Sequence, residues 1–165
     1  MTATYEPIST QTLGTAVETV TFSSIASTYT DLVVIINSFA SVASDMSMYF
    51  NADTGANYSR TTLWGNGSTA GSLRSSSANF IYITNYGSVR TDQGSSVHVV
   101  NIMNYANTTT YKTVLARANA SVSGVDLTAG LWRSTSAITS ITFDLDSTRT
   151  FQTGSTFTLY GIKAE

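Results

Sequence analysis

The sequence predicts an all-β protein, a β-sandwich that is jelly-roll-like, with about nine to eleven short antiparallel strands. Three observations predict it. Apolar and polar residues alternate at period two in run after run, as in Ile141-Thr142-Phe143-Asp144-Leu145 and Phe157-Thr158-Leu159. Turn residues recur about every ten positions, the spacing of a two-layer β fold. Apolar residues nowhere recur at helical spacing over several turns, and no repeat, heptad or proline-rich linker breaks the 165 residues. Two layers let each strand bury one face. The jelly roll comes before an immunoglobulin-type sandwich because the central runs are long and well separated.

Residues 1–7 read as a short N-terminal arm and residues 8–165 as a single sandwich domain. The arm is polar, Tyr5 is its one large side chain, and Pro7 pushes Glu6 towards an extended conformation. Such a segment either grips a neighbouring subunit or frays. Gripping makes Thr2, Ala3, Thr4 and Tyr5 candidate partner contacts. Ile8 to Leu13 is the first strand, closed by Gly14, and Val20 and Phe22 alternate with threonines in the next. Leu32 to Ile36 is short and β-branched, which fits a central strand buried on both faces. Met46, Met48 and Phe50 alternate cleanly.

Asn51 to Ser59 is a turn around Asp53 and Gly55, Thr61 to Trp64 resumes strand character, and Asn66-Gly67 is the strongest tight-hairpin signal. Ser68 to Asn79, rich in Ser and Gly, reads as a surface loop. Phe80 to Tyr86, Val97 to Met103 and Lys112 to Ala118 are further strands, and Val125 to Trp132 is ambiguous. Ile141 to Leu145 and the run from Phe157 are joined by a polar connection with Phe151 as an apolar plug and Gly154 as a turn residue. Two runs so joined read as an antiparallel pair. The alternation slips at Tyr160 and Ile162, and Gly161 marks a bulge or a close backbone approach there. Tyr160 is the candidate partner contact of this run.

Serine and threonine number 52, against 18 Asp, Glu, Lys and Arg together. Hydroxyls therefore carry solubility, and such a surface suits a face kept dry against a neighbour or one exposed to an unfriendly medium. A net charge of −2 with no basic stripe argues against nucleic acid. The longest aliphatic run, Leu32 to Ile36, is far short of a membrane span. There is no cysteine, hence no disulfide and no thiolate chemistry. The polar start, with Glu6, is unlike a secretory signal, which points to folding in a cytoplasm.

Few residues suggest chemistry. His98, the single histidine, is either a general base or a strand residue, and no serine sits in a Gly-x-Ser-x-Gly elbow to partner it. Asp144 and Asp146 share a strand face as a glycosidase pair would, yet a strand end leading into a turn is an ordinary place for aspartate. Asn51-Ala52-Asp53-Thr54-Gly55 resembles half a calcium loop without the closing acid, and its side chains are good turn formers, a structural turn being the default. Tyr58, Trp64, Tyr82, Tyr86, Tyr105, Tyr111 and Trp132 form either a sugar-stacking platform or core and interface, the default being the latter. No catalytic, cofactor or metal residue is assigned.

Several stretches resemble a family of small all-β virion structural proteins of tailed bacteriophages, cyanophages among them. They are Val20-Thr21-Phe22-Ser23-Ser24-Ile25, Tyr29-Thr30-Asp31-Leu32, Phe50-Asn51-Ala52-Asp53, Asn57-Tyr58-Ser59, Gly65-Asn66-Gly67, Tyr111-Lys112-Thr113 and Gly130-Leu131-Trp132-Arg133-Ser134-Thr135. The ending, Gly154-Ser155-Thr156-Phe157-Thr158-Leu159-Tyr160-Gly161-Ile162, carries the resemblance furthest. It implies a capsid decoration or cement protein, made in the host cytoplasm and seated on the outer capsid surface. The implied partners are further copies of itself as a homotrimer and the major capsid protein, with no enzyme activity and no cofactor. The other role it leaves open is the receptor-binding head domain of a tail fibre, which would bind a host-surface glycan.

Overall fold

The computed structural model describes residues 4–85, 89, 96–120, 124–146 and 148–163. Among them are twelve strands and no helix: β1 (Tyr5–Thr12), β2 (Thr19–Phe22), β3 (Asp31–Ser38), β4 (Met46–Phe50), β5 (Tyr58–Gly65), β6 (Ala70–Ala78), β7 (Ile81–Tyr82), β8 (Ser96–Met103), β9 (Lys112–Ala120), β10 (Gly124–Trp132), β11 (Ile141–Leu145) and β12 (Thr156–Ile162). The chain folds back on itself as a ribbon. β1 pairs with β12, β2 with β11, β3 with β8 and β4 with β7, all antiparallel. Successive pairs alternate between two sheets.

Two further strand pairs are inserted into this ribbon, β5-β6 before β7 and β9-β10 before β11. They meet through β10 and β5 and widen one sheet to eight strands, β1-β12-β3-β8-β9-β10-β5-β6; the other is β2-β11-β4-β7. The core lies between the layers. Phe22, Met48, Phe50 and Phe143 of the small sheet meet Val34, Ile36, Val100 and Phe157 of the large one. Phe143 and Phe157 bridge the gap with ring centroids 5.8 Å apart. Phe151 is the expected plug: fully buried, it stands edge-on to Phe157 at 5.1 Å and bridges to both Val17 and Ala40.

That plug explains the largest departure from the sequence reading. β11 and β12 are not a pair; β11 lies between β2 and β4, and β12 between β1 and β3, in different sheets. The connection drops Phe151 into the core and crosses from layer to layer. The Ser68 to Asn79 segment is not a loop but mostly edge strand β6, whose hydroxyl-rich composition conceals its pairing with β5. Val125 to Trp132 is strand, and of the described residues in the expected Phe80 to Tyr86 strand only Ile81–Tyr82 are strand. β3 is not covered on both sides, since Ile35 is 42% exposed. The strand count exceeds the expected range because β6 and β10 are both strands.

Three residues of the expected arm, 1–7, are strand. Tyr5, Glu6 and Pro7 belong to β1 and pair with Ile162, Gly161 and Tyr160. β1 is an edge, where proline is tolerated, and its register shifts between Pro7 and Ser9. Phase does not slip at Gly161. β12 alternates without interruption, with Phe157, Leu159 and Gly161 inward, and the ring of Tyr29 occupies the space a side chain would take. A Cβ on Gly161 would lie 2.3 Å from that ring. Gly161→Ala should therefore cost about 1–3 kcal/mol through overpacking. Urea denaturation checks this, and in a Tyr29→Ala background the same glycine substitution should lose most of its effect.

Candidate functional site: the outer face of the large sheet

Strand alternation gives the large sheet one face towards the core and one away from it. On the outer face, Ile35, Val99, Arg117, Leu127 and Leu63 lie side by side across β3, β8, β9, β10 and β5. The row on one side contains Val97, Asn119, Val125 and Gly65, and the row on the other Asn101, Leu115, Ala129 and Thr61. No second layer covers them. Leu63 is 53% exposed, Val125 59%, and Ile35, Val97, Leu115, Leu127 and Met103 between 37% and 44%. Scattered exposed apolar residues are ordinary, but a contiguous set marks an interaction surface.

Arg117 stands in the middle of this patch. It is exposed, and among the described residues no carboxylate pairs with it. Two hollows flank it. One of about 360 Å³ is lined by Val97, Val99, Asn119 and Val125, and one of about 340 Å³ by Leu63, Trp64, Val125 and Leu127. Arg117 borders both. Each has room for an apolar side chain beside Arg117.

Tyr5 and Tyr160 fall on the same outer face, at its β1–β12 end. Tyr5 is opposite Ile162 and Tyr160 opposite Pro7, so the two rings are diagonal neighbours. Tyr5 is 59% exposed and Tyr160 is half-buried. The exposed Thr4 offers its carbonyl to the Lys163 amide, while Thr2 and Ala3 lie outside the described residues. The central part of the face was missed by sequence reasoning. β3 is apolar at inward and outward positions alike, and β10 inverts the usual pattern, with Val125, Leu127 and Ala129 outward and Asp126 and Thr128 inward, so alternation alone does not reveal which side a second sheet covers. The signal present was the scarcity of charge in those strands.

The residues weighed for chemistry are placed elsewhere. His98 is on the inner face with no solvent-exposed surface, its Nε2 3.2 Å from the Ser38 hydroxyl and its Nδ1 without a partner. Burial lowers its pKa to about 3. A serine beside an imidazole is the beginning of a nucleophile–base pair, but both are sealed from substrate and nothing orients the ring through Nδ1. Asp144 and Asp146 are both half-buried at the end of β11. Burial raises the Asp144 pKa, and nearby Glu18 and Asp146 add to it. Asp146 accepts a hydrogen bond from Tyr82, whose own pKa is pushed up to about 12, first by burial and then by that carboxylate.

Asp53 has its oxygens engaged. Oδ1 accepts from the Gly55 amide at 2.9 Å, and Oδ2 from Trp132 Nε1 at 2.7 Å and Asn57 Nδ2 at 2.9 Å. Burial works against the charge, yet these three bonds together hold its carboxyl below the usual value. Asn51, at φ 53°, uses Oδ1 to accept the amides of Thr139 and Ser140. The segment is a turn that clamps β4, β5 and β10 together. Tyr58, Trp132 and Tyr105 are core residues, Tyr82 and Trp64 are half-buried, Tyr111 is exposed, and Tyr86 lies outside the described residues. The aromatics therefore do not form one sugar-stacking platform.

Comparison with family models, with curated proteins and with solved structures gives no match for this chain.

Proposed function

We propose that this is a structural protein of a bacteriophage particle: a capsid decoration or cement protein, non-catalytic, that binds the outside of the head shell as an oligomer and stabilises it. Three copies is the expected number. The observation that carries the reading is the uncovered apolar face of the eight-stranded sheet, a surface built to be buried against protein. The strand order adds support. The pairs β1–β12, β2–β11, β3–β8 and β4–β7, distributed over two sheets, support a jelly-roll winding with two inserted strand pairs. The resemblance to phage virion proteins supplies the particle.

Such a protein works by contact. An oligomer laid across several shell subunits holds each weakly, and the combined contacts resist separation through high effective concentration. Shells assembled with the protein should survive heating or osmotic shock that opens shells assembled without it. Equal survival of the two preparations would remove the cementing role.

A further inference from the structure

From the outer face we infer the identity of its occupant: a second copy of this chain, with Arg117 of one copy set against Asp31 of the next. The inference rests on the assembly reading above and specifies the contact.

Area is the first argument. The seven exposed side chains from Ile35 to Leu127, each 37–59% exposed, leave on the order of 600 Å² of apolar surface, the upper end of what a monomer shows. A standard protein interface buries about 800 Å² per partner, so this patch and its hydroxyl surround form one whole interface. Charge is the second argument. Along the rows described above, Arg117 is the one central cation. Among the described residues the same face supplies one carboxylate at its border, Asp31 at the start of β3, facing outward as Val33 and Ile35 do by alternation.

The two cannot meet within one chain. β9 and β3 are separated by β8, and Asp31 is four positions along its strand from Ile35, which shares a row with Arg117. Strand spacing and rise put them on the order of 16 Å apart. Asp31 Oδ1 is held by the Asn104 amide at 2.7 Å, which fixes the carboxylate in place. A face that carries both halves of an ion pair out of mutual reach is complementary to a copy of itself. Each copy gives one arginine and receives one, so the contact closes into a ring or a pair with both charges matched. The hollows beside Arg117 take apolar side chains of the same neighbour.

Sedimentation equilibrium of the full chain tests this. The wild type should associate reversibly in the micromolar range, and Leu127→Asp, an exposed change, should leave a folded monomer. Arg117→Gln and Asp31→Asn, the latter keeping the acceptor for Asn104, should each weaken association by about tenfold. Together they should weaken it no more than either alone, as coupled partners do. A wild type that stays monomeric at hundreds of micromolar overturns the inference, and so does a strictly additive double variant. Measuring shell binding on the same samples separates the two readings. A monomer that still binds shells removes the inference alone, and an oligomer that ignores shells removes the cementing role alone.

Discussion

Trp132→Ala should be the most destabilising single substitution in this protein, at about 3–5 kcal/mol. Trp132 is 2% exposed at the end of β10, stacked on Tyr58 at 6.2 Å and tilted against Phe50 at 5.4 Å. Its removal opens a cavity where the two layers meet. It also removes the Nε1 hydrogen bond to Asp53, leaving the turn that joins β4 to β5 without its anchor. Trp132→Phe keeps most of the apolar area and loses that charge-assisted bond, so it should cost about 1.5–3 kcal/mol. Chemical denaturation of the two variants gives the split. A loss below about 1 kcal/mol for the alanine variant would show that the aromatic cluster does not hold the large sheet together.

The second large effect is a dependence on pH that runs through His98. Its pKa falls from 6.5 to about 3 on burial, so the folded protein keeps the ring neutral where the unfolded chain takes up a proton. The unfolded state binds more protons across that window, and stability therefore falls as the pH is lowered. The contribution is complete above 6.5, is lost progressively below it, and changes no further below about 3. The slope should approach 1.4 kcal/mol per pH unit, on the order of one proton's linkage. Between about pH 6.5 and about 5.5, where unperturbed carboxylates titrate little, this term is the main contributor. His98→Gln retains a hydrogen-bonding end for Ser38 but takes up no proton, and its stability should be flat across the same range. An equal slope in both proteins would assign the acid sensitivity to other groups.

Most of the strands can be read from the sequence, because period-two alternation is a direct image of one buried face. Met46, Met48 and Phe50 are legible in this way, as are Phe151 as a plug and Asn66-Gly67 as the β5–β6 turn, where Gly67 sits at φ 87°. Sheet membership is not legible. β11 and β12 alternate identically whether they pair or face each other across the core, and only the depth of Phe151 decides. β6 escaped because an edge strand needs backbone partners on one side only, so serine suits it as well as valine. The outer face escaped for the opposite reason. Leu63, Leu115 and Leu127 look like core residues in one dimension, and their exposure depends on there being only four strands in the second layer. Tyr5 and Tyr160 were singled out at the rim of that face, while its centre at Arg117 was not.

The joining of β5 to β10 has a consequence for how the chain comes to its final form. β5 and β6 are synthesised long before the strand that fastens them to the rest of the sheet, and β1 must wait longer still for β12. A nascent chain therefore carries open hydrogen-bonding edges for much of its time on the ribosome, and loop closure over such separations is slow. The many hydroxyls of β6 then have a use unrelated to the folded protein: they keep a waiting ribbon wet, so that it does not find the wrong neighbour first.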